Sequence, residues 1–116
     1  MQVIATPHFE ENVKFYVKKK KHLKLYDDIK SVTDELVAGN LIGDKLAGLD
    51  LQAGASAYKV RIANSSANVG KSNGYRILYY VAVEEKIYLL TIYSKKDNNR
   101  IPTDTQIALL IKNVIQ

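Results

Sequence analysis

Lys59, Arg61, Lys71, Arg76, Lys95 and Lys96 are the residues of this chain whose types and spacing could do chemistry. They fall on, or at the ends of, three strand-like runs: 57–63, Tyr75–Val83 and Lys86–Tyr93. A loop flanked by glycines, Gly70-Lys71-Ser72-Asn73-Gly74, joins the first two runs. A sheet that presents clustered cations is suited to a polyanion. Guanidiniums grip phosphate as two-pronged forks, and lysines add point charge. The overall composition agrees, since 17 Lys and Arg against 12 Asp and Glu leave a formal charge of +5. That excess favours an acidic partner, with nucleic acid first.

Cutting RNA with its own 2′-OH needs a base for that hydroxyl, charge stabilisation at the phosphate and an acid for the leaving oxygen. No histidine or carboxylate is well placed in the basic stretch, so cations must supply most of this. Arg61 and Arg76 are the candidate forks. Lys71 or Lys95 is the candidate base, because like-charged neighbours favour the neutral amine that a base requires. Lys96, Lys59, and Lys18 and Lys19 within the run Lys18–Lys21, are candidate backbone contacts. Cations at a helix C-terminus also suit the helix dipole, so the four-lysine run serves as a cap as well. Tyr80 and Tyr93 are placed to stack on bases, although most of the eight tyrosines are expected in the core.

Other chemistries are disfavoured. Gly70-Lys71-Ser72 lacks the phosphate-loop glycine five residues earlier, where Ser65 stands, and a strand rather than a helix follows. With no cysteine, and His8 and His22 far apart, no metal site is expected. No cofactor is expected either. Both histidines are expected on helix surfaces, and Asp27-Asp28 and Glu84-Glu85 as solvated pairs. No run approaches a membrane span, and the N-terminus lacks the basic start and long apolar stretch of a signal peptide. The absence of cysteine suits a reducing compartment, so a cytoplasmic protein with no membrane partner is expected.

The elements that must position these cations read as one α+β domain over residues 1–116. Gln2–Ala5 is a short first strand. Thr6-Pro7 opens a helix with Phe9, Val13, Tyr16 and Val17 on one face, running to about Lys20. A second helix, from about Leu23 or Tyr26 to Ala38, stops at Gly39. The two helices form an αα-hairpin. The segment 40–54 is a long connection, with room for part of it to pair at the sheet edge. In the first long strand Tyr58, Val60 and Ile62 alternate with Lys59 and Arg61, which puts the cations on the face opposite the helices, read as open. Ile87–Tyr93 is nearly continuous and apolar, hence central with both faces covered. Thr103-Asp104-Thr105-Gln106 is a capping box opening a short helix that packs on the sheet or on a partner. The fold expected is an antiparallel sheet of about four strands with the hairpin on one face and a short C-terminal helix.

Three runs carry a resemblance: Tyr58-Lys59-Val60-Arg61-Ile62, then Gly70-Lys71-Ser72-Asn73-Gly74-Tyr75-Arg76-Ile77-Leu78-Tyr79-Tyr80, then Tyr88–Lys96. With the opening 3–9, they resemble the RelE/ParE superfamily of type II toxin–antitoxin toxins, the HigB-like branch of RelE above all. The resemblance spans essentially the whole chain. It implies a RelE-like fold and cleavage of messenger RNA in the ribosomal decoding site, neutralised by a cognate antitoxin that often carries a helix-turn-helix domain. By motif position it implies a basic active surface of Arg61, Lys71, Arg76 and Lys95, with Lys59 a poorer match. Two departures stand out. Some members use a tyrosine near the C-terminus, and none follows Tyr93 here. The C-terminal helix also varies across the superfamily. ParE-like inhibition of DNA gyrase and RNA binding without cutting are the alternatives.

Overall fold

The computed structural model describes residues 1–115. Its elements are β1 (Gln2–Ala5), α1 (Pro7–Lys14), α2 (Leu25–Val37), β2 (Asp44–Lys45), β3 (Ser56–Ile62), β4 (Tyr75–Val81), β5 (Lys86–Ser94) and α3 (Asp104–Ile115). α1 runs directly into a π-helical turn, Phe15–Lys19. The strands form one sheet in the order β1-β5-β4-β3-β2. β3, β4 and β5 make the expected antiparallel meander. The sheet is mixed rather than antiparallel throughout, because β1 lies parallel to β5. Parallel neighbours need a long connection, and here the helices and the rest of the meander lie between the two strands. β2 is the fifth strand, pairing with β3 at only two positions.

Local chemistry sets the ends of the helices. The Thr6 hydroxyl accepts from the Phe9 N–H and donates to the Leu89 carbonyl, so it caps α1 and ties it to β5. Past α2, Gly39 takes a φ of 91°, the left-handed geometry that ends a helix. The capping box on α3 forms as expected: Gln106 Oε1 accepts from the Thr103 N–H at 2.9 Å, and Thr103 Oγ1 accepts from the Gln106 N–H at 3.2 Å.

The sheet is packed on both faces. Phe9, Val13, Leu25, Ile29, Val32 and Leu36 of the helices cover Val60, Ile62, Ile77, Tyr79 and Ile92. On the other face, Ile107 and Ile111 of α3, joined by Leu46, Leu49 and Leu51, cover Leu78, Tyr80, Leu90 and Tyr93. A bulge adds one residue to β5, so that Leu78 faces Thr91 and Tyr79 faces Leu89. This shift lets Tyr88, Leu90 and Tyr93 all join the α3 side. The face bearing Lys59 and Arg61 is therefore not open along its length. α3 and the segment 46–55 close one half, and only the end beyond Lys59 stays free. α3 packs on the sheet, leaving Leu109 and Ile115 exposed.

The free end depends on a close approach of backbones. A Cβ on Gly74 would stand 2.1 Å from the Ile62 carbonyl oxygen and 2.9 Å from the Asn64 nitrogen. Backbone atoms cannot swing aside as a flexible side chain can. Gly74→Ala should therefore destabilise the fold by about 1–3 kcal/mol, the usual cost of overpacking, read as a lower urea midpoint. An unchanged midpoint would show that β3 and β4 can separate here without cost.

Candidate nucleic-acid interface

Strand register brings the predicted cations to one end of the sheet. Arg61 lies directly opposite Arg76, and Arg76 opposite Tyr93. The next row is Ile62, Tyr75 and Ser94. Beyond it the Lys95 N–H donates to the Gly74 carbonyl at 3.0 Å. Alternation puts Lys59, Arg61 and Arg76 on one face, and Lys95 stands at its end. Neighbouring strands are about 4.8 Å apart, so the two arginines start from adjacent backbones. The ion pairs among the described residues are Lys30 with Asp34 and Arg100 with Asp97. Arg61, Lys71, Arg76 and Lys95 take part in neither.

The two arginines do different things. Arg76 was expected as a phosphate fork, yet it is only 7% exposed. Its Nη1 donates to the carbonyls of Lys71 and Tyr75, and its Nη2 to that of Ser72. The fork is spent on the backbone of the 71–75 segment, whose carbonyls turn toward it. Burial first, and repulsion from Arg61 second, lower its pKa, although a guanidinium stays charged in proteins. Arg61 is exposed and is the free fork of the pair.

Lys71 is exposed, its backbone fixed by Arg76. With Lys59 and Arg61 it lines a groove of about 750 Å³ between α2 and the edge of β3. β2 pairs with β3 at Tyr58 and Lys59, and the Leu46 N–H extends the pairing to the Ala57 carbonyl at 2.8 Å. The groove is not purely basic, since Asp28, Glu35 and Asp44 also line it. Lys95 and Lys96 are exposed after β5.

The aromatic stacking candidates are corrected. Tyr80 is 1% and Tyr93 6% exposed, both packed under α3, so neither presents a ring face to a base. The sequence could not show this, because it left open where α3 docks. Lys18 and Lys19 are exposed on the π-helical turn. It is Lys20, not they, that lines a cavity together with Lys96.

That cavity contains a residue the basic pattern passed over. His22, expected on a helix surface, sits in the turn before α2, after Lys21 at a φ of 60°. Its Nδ1 meets the Tyr75 hydroxyl, and its ring stacks on Tyr16 with centroids 6.0 Å apart. Tyr16 in turn accepts from the Ser94 N–H at 2.9 Å and donates to Asp97 at 3.3 Å. Burial pushes the Tyr16 phenol up to about 12, despite the lowering effect of the Ser94 bond. Tyr75 is raised as well, mainly by burial, so its hydroxyl holds its proton and can donate to Nδ1. Asp28 is likewise not the solvated acid expected. It is buried and accepts from the N–H and hydroxyl of Ser65, pinning the 64–69 loop to α2. The nearest sequence signal was position: both residues flank the start of α2.

The chain matches no protein-family model and no curated protein.

Burial and the charge of Lys20 lower the pKa of His22 from its ordinary value. The unfolded chain therefore binds a proton at His22 more readily than the folded chain does. Stability is full above the ordinary histidine value of about 6.5 and is lost as pH falls from there toward the lowered value. The melting temperature should drop between pH 7 and pH 5, and His22→Gln should flatten that limb. A limb unchanged by the substitution would assign it to other groups.

Proposed function

We propose that the chain is an endoribonuclease toxin of a type II toxin–antitoxin system, cutting messenger RNA on the ribosome and held in check by a cognate antitoxin. The observation that carries this is the directly opposed pair Arg61 and Arg76, with Lys59, Lys71 and Lys95 around it; among the described residues none of the five forms an ion pair, although Asp44 stands opposite Lys59. Like charges opposite each other across strands are destabilising. A phosphate at this sheet end would relieve that repulsion. The RelE-like motif order points the same way.

In the reaction the 2′ oxygen bonds to the adjacent phosphorus and the bond from phosphorus to the 5′ oxygen breaks. The products are a 2′,3′-cyclic phosphate and a 5′-hydroxyl. Arg61 holds the phosphate and meets the charge that builds on it. Arg76 acts through the loop it fixes, presenting Lys71. One of Lys71 and Lys95 takes the 2′ proton, and the other, as its ammonium, gives a proton to the leaving 5′ oxygen. Side chains this exposed orient a flexible RNA poorly by themselves, so the ribosome would supply the alignment. A helix-turn-helix antitoxin is the proposed partner.

RNA binding without cutting is the second reading, favoured by the commitment of Arg76 to carbonyls. Expression from a tightly repressed promoter, with mapping of messenger 5′ ends and of plasmid supercoiling, separates the possibilities. New ends within translated frames are expected. Altered supercoiling would instead indicate a gyrase inhibitor, and neither change would leave a binder. Arg61→Ala should lower cutting by about 100- to 1000-fold, the usual loss for one donor to a developing oxyanion. Wild-type cutting by that variant, with the fold intact, overturns the role of Arg61. Arg76→Ala should also abolish toxicity, here through a loosened 71–75 segment, which proteolysis of that segment would register.

A further inference from the structure

The cavity at His22 lies across the strand ends from the arginine pair, on the helix side of the sheet. Its volume is about 350 Å³, and its walls include Lys20, His22, Asn64, Asn73, Ser94 and Lys96. Asn64 is 5% exposed. Its Oδ1 accepts from the Ala67 N–H at 3.2 Å, which caps the turn Ser65–Ala67. Its Nδ2 makes no hydrogen bond among the described residues and keeps contact with solvent. Asn64 is thus a buried side chain with a spare donor in the wall of a cavity. His22 offers a second donor in the tautomer whose Nδ1 accepts from the Tyr75 hydroxyl, which carries its proton on Nε2. Lys20 and Lys96 supply positive charge. The one acid in the lining, Asp97, is engaged by the Tyr16 hydroxyl and by Arg100 at 3.6 Å.

Spare donors and lysines in one polar cavity call for an acceptor-rich anion. We propose that this cavity is a second phosphate subsite, which takes the phosphate of a nucleotide flanking the one held at Arg61. It rests on the RNA-cutting function proposed above. Ser94, in its wall, lies between Tyr93 of the arginine row and Lys95 in the chain. A strand leaving Arg61 therefore reaches the cavity by crossing the sheet end. There Asn64 Nδ2 and His22 Nε2 donate to phosphate oxygens, and Lys20 and Lys96 balance the charge. The subsite would set the direction in which RNA crosses the protein.

The full chain, labelled with ¹⁵N, is titrated with a short single-stranded oligoribonucleotide and separately with inorganic phosphate. The Asn64 side-chain amide signal should shift saturably with RNA. Two variants test the contacts. Asn64→Asp keeps the oxygen that caps Ala67 but puts an anionic oxygen where the free donor was. Lys96→Ala alters an exposed position with little risk to folding. Each should weaken RNA binding by about tenfold, the loss of one charge-assisted hydrogen bond. If signals at Arg61 and Lys95 move while Asn64 stays still, the subsite is overturned and the RNA surface survives. If none of them moves with RNA, both fall. If Asn64 moves with inorganic phosphate but not with RNA, the cavity is a free-phosphate site, and the assignment to RNA is overturned.

Discussion

Arg76 is a buried cation that forms no ion pair among the described residues. Moving such a charge out of water is costly unless hydrogen bonds replace its hydration. Three backbone carbonyls do so here, from Lys71, Ser72 and Tyr75. Those of Lys71 and Ser72 come from the glycine-flanked loop, and the bonds make that loop part of the sheet end rather than a free excursion. Arg76 turns inward to the loop, while Arg61 on the adjacent strand is exposed to solvent. Lys71 gains a fixed backbone and keeps a free amine. Among the described residues Arg61, Lys71 and Lys95 form no ion pair, although Asp28, Glu35 and Asp44 line the adjoining groove.

The helical side supports that end by different means. Tyr16 reaches the N–H of Ser94 and the Asp97 carboxylate from the π-helical turn after α1, and His22 meets Tyr75. Asp28 holds Ser65 from α2. These contacts draw together the connection between β3 and β4, the start of β4 and the segment after β5. They are polar bonds in places shielded from water, where an unmade bond costs more than a made bond returns. The same sheet end thus has two unlike sides, one cationic and exposed, the other a polar cavity walled by aromatic rings.

Much of the fold could be read along the chain. The alternation in β3, the unbroken apolar run of β5, the Thr6-Pro7 start and the capping box of α3 each follow from local rules of period and end chemistry, and each formed. The candidate cations were legible for a related reason: strand period assigns Lys59, Arg61 and Arg76 to one face, and short connections set their register. The parallel pairing of β1 was not legible, because no hairpin joins it to its neighbour. The burial of Tyr80 and Tyr93 was hidden by the open question of where α3 docks.

From sequence alone came the classes of side chain, their periods and their charge. Those quantities are local, so a single chain carries them in full. Which arginine is spent on the backbone and which is free was decided only by tertiary packing, as was the meeting of His22 with Tyr75, 53 residues away. Such contacts depend on how distant segments close over one another. The free energy that selects them, desolvation balanced against new hydrogen bonds, exists only once the segments have met.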